Sequence, residues 1–101
     1  MSIIVHQERP ISVNVQSGSW IGNTISIRGL LKQIVIHPVS DSTMYDFSLT
    51  NNMDEIVYKR TDVSGELNEE LDLPVTGVYT MQISNSTTDG SFNVLLSIRE
   101  T

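Results

Sequence analysis

The chain has 101 residues, 39% hydrophobic and 18% charged, with no cysteine and a formal net charge of −6. This length and balance give one folded domain with a real core, and exclude a disulfide framework and thiolate metal sites. The six basic residues, Arg9, Arg28, Lys32, Lys59, Arg60 and Arg99, are scattered. The acidic balance therefore excludes a phosphate-tracking nucleic-acid surface and an anionic membrane as partners.

Residues 1–10 read as an extended arm or edge strand. Ile3 and Val5 share one phase, flanked by Ser2 and His6 with Ile4 on the other phase, and Pro10 closes the segment. Met1 to His6 lacks the basic flank and the apolar length of a secretory leader, so the expectation is synthesis in a cytoplasm. Residues 11–101 read as a β-sandwich domain. Ile11, Val13 and Val15 alternate with Ser12, Asn14 and Gln16, a half-buried strand broken by Ser17-Gly18-Ser19. Ile21, Ile25 and Ile27 share one phase in the next segment. From Leu30 to His37 both phases are apolar, which predicts either a central strand covered on both faces or a strand whose second face meets a partner.

Tyr45, Phe47 and Leu49 alternate, Asn51 to Asp54 form a turn, and Ile56 and Tyr58 begin a return strand, so 44–60 is expected to be a hairpin. In 66–73, Leu67, Leu71 and Leu73 share a strand phase with Glu69 as an intruder. A strand bulged near Glu69 is the preferred reading and a single helical turn the alternative. Tyr79, Met81 and Ile83 alternate, and after the polar loop 84–91 so do Phe92, Val94, Leu96 and Ile98, which predicts a terminal antiparallel hairpin over 77–99. The sum is an all-β fold, an antiparallel β-sandwich or jelly roll of about eight strands in a single domain.

Chemical motifs are sparse. Glu66, Glu70 and Asp72 alternate away from the core, and Asp41, Asp46, Asp54 and Asp89 occupy turn contexts; both patterns read as solvated or turn-forming carboxylates before they read as calcium ligands. His6 and His37 are the only histidines, too few for a three-histidine zinc site. No nucleophile elbow, phosphate loop or dinucleotide turn occurs. The expectation is a protein that is not an enzyme and holds no cofactor or metal. Apolar residues on the outward phase then matter most. Ile4, Leu31, Val35, Val57 and Leu95, with Ile3 and Val5 of the arm and the lone Trp20, are the candidate protein-interface residues.

The blocks Gly29-Leu-Leu-Lys-Gln-Ile-Val-Ile36, Tyr45-Asp-Phe-Ser-Leu49, Gly65-Glu-Leu-Asn-Glu-Glu-Leu-Asp-Leu-Pro74 and Gly77-Val-Tyr-Thr-Met-Gln-Ile-Ser-Asn85 resemble, in order and character, small β-sandwich proteins encoded among the virion genes of tailed bacteriophages. The Gly77-x-Tyr79-x-x-x-Ile83 strand is also similar to jelly-roll domains that accompany secreted bacterial proteases. The first resemblance implies a non-enzymatic structural role in a phage particle, foremost as a capsid decoration or cement protein in many copies. Its partners would be the major capsid protein or tail proteins and further copies of itself, with no nucleic acid and no membrane. The alternative is a tail, neck or fibre component with a carbohydrate- or receptor-binding role. The implied location is the virion, assembled in the host cytoplasm.

Overall fold

The computed structural model describes residues 5–7, 11–24 and 26–99. Among them lie nine strands and no helix: β1 (Val5–Gln7), β2 (Ile11–Val15), β3 (Trp20–Asn23), β4 (Ile27–His37), β5 (Met44–Thr50), β6 (Ile56–Ser64), β7 (Leu67–Gly77), β8 (Thr80–Ser84) and β9 (Gly90–Arg99). All pairings are antiparallel. In the first sheet β9 lies between β4 and an edge made of β2 and β1 in succession, and β7 forms the far edge; the second runs β3-β8-β5-β6.

This wiring is that of a long hairpin rolled up. β5 pairs with β6, β4 with β7, β3 with β8 and β2 with β9. Rolling the hairpin adds the lateral pairs β4–β9 and β5–β8. The result is a jelly roll. From β2 onward only the β5–β6 connection stays within one sheet. The expected terminal hairpin over 77–99 is therefore corrected. β8 and β9 each alternate as expected but belong to opposite sheets, because the loop between them crosses the sandwich instead of folding back. The hairpin expected over 44–60 does form, and 66–73 is strand from Leu67 onward, with its register against β4 shifted between Glu70 and Leu73.

Alternation supplies the core. Val13, Val15, Leu31, Ile34, Ile36, Phe92, Val94, Leu96 and Ile98 face inward from the first sheet, and Tyr45, Phe47, Leu49, Met81 and Ile83 from the second. Tyr45 and Phe92 meet edge to face across the gap, with centroids 5.2 Å apart and planes at 88°. The Tyr45 hydroxyl donates to the Gly65 carbonyl at 2.8 Å, and burial pushes its ionisation upward.

The two apolar phases of β4 have a mechanical cause. The register against both neighbours shifts between Leu31 and Gln33, so Ile27 and Leu31 are buried before the irregularity and Ile34 and Ile36 after it. Leu31 is thus a core residue with no exposed surface, which corrects its assignment to the outward set. A shift between Leu49 and Thr50 does the same to β6. Val57 packs against the core while Ile56 is 58% exposed, the reverse of the expected phase. Ile21, expected inward, is 65% exposed.

One end of the roll is tied by its crossing loops. Ser17 and Gly18 both have positive φ, the pattern of a type I′ turn, and Gln16 and Ser19 exchange backbone bonds of 3.1 Å. The Asp89 carboxylate accepts from both turn amides, at 3.1 and 2.9 Å. Gly65 donates to the Thr43 carbonyl at 2.9 Å with φ at +73°, and a Cβ there would sit 2.9 Å from the Asp41 carbonyl oxygen. Gly65→Ala is expected to lower stability by about 2 kcal/mol or more, through the left-handed backbone and the backbone clash together. Urea unfolding of the variant against wild type measures this.

Candidate protein interface

The outward apolar residues do not form one patch. Ile3 and Ile4 lie outside the described residues, and Val5 pairs through its backbone with Arg99. Val35 and Leu95 are directly opposite each other on the outer face of the first sheet, both half-buried. Nearby, Leu30 faces Arg99 across the β4–β9 ladder. Trp20 lies on the inward phase of β3, opposite Ile83, and packs partly against the core with its indole folded over Gly22.

Polar side chains surround the Val35–Leu95 pair, and most hold one another. Gln33 donates to the Asn68 side-chain oxygen at 2.7 Å, Lys32 bridges to Asp72, and His37 Nδ1 lies 2.9 Å from a Glu66 oxygen. The lysine beside Asp72 holds that carboxyl below its ordinary ionisation range. Around the β4 irregularity this face is recessed by about 660 Å³, lined by Lys32, Gln33, Glu70, Leu71, Asp72, Ser97 and Arg99. Among the described residues no three His, Cys, Asp or Glu side chains converge to hold a metal ion.

Two open sides separate the sheet edges. On one, β6 and β7 are joined by side chains. Glu69, the intruder in the leucine phase of β7, accepts from the Tyr58 hydroxyl at 3.0 Å and pairs with Arg60. A carboxylate on an inward phase is tolerated at this position because both partners reach it from the opposite sheet. Burial and the adjacent Glu69 push Tyr58 up to about 12. On the outer surface of the second sheet Asp46 accepts from the Asp62 amide at 2.9 Å and the Asn85 side chain at 2.7 Å, which hold its carboxyl low. On the other open side β2 and β3 themselves carry no charged residue, since none occurs from Ile11 to Ile27; the nearby carboxylate of Asp89 is bound to the turn amides that join them. Phase reading missed Ile21 as a surface residue; that uncharged run was the signal that could have found it.

Removing Glu69 leaves Tyr58 and Arg60 without their shared acceptor. Glu69→Ala is expected to cost about 1 kcal/mol, the modest figure appropriate to a pair that solvent still reaches. It should also return the Tyr58 ionisation toward its ordinary value, read from tyrosinate absorbance. In the wild-type protein the raised value means the folded state holds the proton more tightly. The Tyr58 contribution to stability is therefore complete below pH 10 and is lost as pH rises through about 12. Unfolding midpoints measured across that window should fall less steeply in Tyr58→Phe.

No family model and no curated protein matches the chain. Among solved structures it is similar to a chain in the structure of infectious bursal disease virus, Gx strain. The alignment covers 99% of this chain and 33% of that one, at 9% identity and a TM-score of 0.46. The chain spans about a third of the length of that neighbour.

Proposed function

We propose that this chain is a non-enzymatic structural protein of a virus particle, and within that class a capsid decoration or cement protein of a tailed bacteriophage, present in many copies and acting through protein–protein contacts. The jelly roll is shared by capsid, lectin and cupin domains, so topology alone leaves a short list. The observation that carries the choice is the commitment of the polar side chains to the scaffold. Asp89 holds the 16–19 turn, Asp46 holds Asp62 and Asn85, Glu69 joins β7 to β6, and Glu66 and Asp72 engage His37 and Lys32. The aromatic residues are similarly occupied, with Tyr45 and Tyr79 buried and Tyr58 bound to Glu69. Rigid, many-copy shape is what such an arrangement offers.

The recess beside Lys32 and Arg99 favours one second reading, a tail, neck or fibre component that binds a carbohydrate or receptor. Two measurements separate the readings. Gradient-purified particles of the encoding phage should contain this protein in many copies by mass spectrometry, and the isolated protein should co-sediment with shells stripped of it. Absence from particles together with no co-sedimentation overturns the proposal. A glycan array with specific hits abolished by Arg99→Ala would favour the second reading over the first.

A further inference from the structure

The two open sides of the sandwich differ in their protection against strand pairing. Exposed edges are ordinarily blunted by charge, proline or irregular backbone. The β6–β7 side has all three. β6 carries Lys59, Arg60 and Asp62, the last at φ +54°, with register shifts at two places, and β7 carries Glu70, Asp72 and Pro74. The β2–β3 side has none of them in its strands. β3 is Trp20-Ile21-Gly22-Asn23, paired among the described residues on one side only, to β8, and Ile21 projects 65% exposed from the outer face. A groove of about 350 Å³ runs along this side, lined entirely by uncharged residues: Asn14, Gln16, Ser19, Trp20, Ile21 and Gln82.

Charge also selects the occupant. Two copies of a chain with net charge −6 repel each other least where charge is locally absent, and the groove along β2 and β3 is lined by uncharged residues, with Asp89 held at the turn beyond it. The choice of a second copy rests on the many-copy reading above. We propose that β3 is a homotypic pairing edge. Two copies join β3 to β3 in antiparallel fashion about a two-fold axis, merging their second sheets, four strands from each, into one continuous sheet. Parity restricts the register. Opposed residues must share a face, so the axis passes beside Ile21 or beside Gly22, and only the first buries each exposed Ile21 against its symmetry mate.

The test uses the intact chain and its lack of cysteine. Analytical ultracentrifugation of wild type should show a concentration-dependent dimer. Ile21→Lys should raise the dissociation constant about tenfold or more, by opposing like charges at the axis, with an unchanged melting temperature at dilutions where both proteins are monomeric, because the side chain is exposed there. Ile21→Cys should form a disulfide-linked dimer on mild oxidation, since directly opposed residues in an antiparallel pair lie within disulfide range. Ile56→Cys, equally placed for solvent on the guarded β6 edge, should not. A wild type that stays monomeric to millimolar concentration, Ile21→Lys that dimerises like wild type, or Ile56→Cys that cross-links as fast as Ile21→Cys would each overturn the proposal. A monomer that still co-sediments with shells would refute this inference alone, whereas a β3-linked dimer absent from particles would refute the particle role alone.

Discussion

The constraint on which everything else depends is the alternation of the chain between two sheets. From β2 to β9 every connection but one crosses the sandwich, so each loop must close a gap set by the packed side chains between the sheets. The Tyr45–Phe92 contact and the leucine, isoleucine and valine layers define that gap. The loops at one end are then fixed by specific bonds, as with Asp89 on the 16–19 turn and Thr43 on Gly65. A crossing loop exposes backbone groups that no ladder satisfies, and here the Asp89 carboxylate and the Thr43 backbone carbonyl take that role.

The strand-and-turn pattern made most of the fold legible. Strict alternation located β2, β5, β8 and β9, and the Asn51–Asp54 turn identified the β5–β6 hairpin. Connectivity was not legible in the same way. Alternation in β8 and β9 states that each has one buried face, and says nothing of which sheet either joins. Irregular register was the second obstacle. Leu31 and Val57 were placed outward by counting in twos, whereas extra residues in β4 and β6 invert the phase. Val35 and Leu95 lie beyond such a shift or away from one, and they do stand opposite each other on the outer face. Ile21 misled because its isoleucine neighbours suggested a shared inward phase that the short β3 does not have.

Charge placement and edge geometry form one pattern. On one flank Glu69 reaches between the sheets to Tyr58 and Arg60, which seals that side and makes it a poor template for another strand. On the other, the polypeptide from Ile11 to Ile27 is uncharged, and among the described residues β3 is the edge of its sheet, with β8 on one side and no strand on the other. A single sandwich thus has one flank adapted to remaining solitary and one that lacks those adaptations. The outer face of the first sheet is intermediate, with the Val35–Leu95 pair set among polar groups that mostly bind one another.

The position of β9 has a consequence for how the molecule is made. It is the last of the described strands in chain order, yet it lies inside the first sheet, between β4 and the β1–β2 edge. Until β9 has left the ribosome, β2 has no ladder partner in its sheet, and β4 has only β7. Contacts this distant along the chain make folding slow, because loop entropy is lost before the pairing enthalpy is gained. The nascent chain must therefore hold the first sheet unfinished until β9 has been made. Its acidic character during that interval keeps neighbouring nascent copies apart until the closing strand arrives.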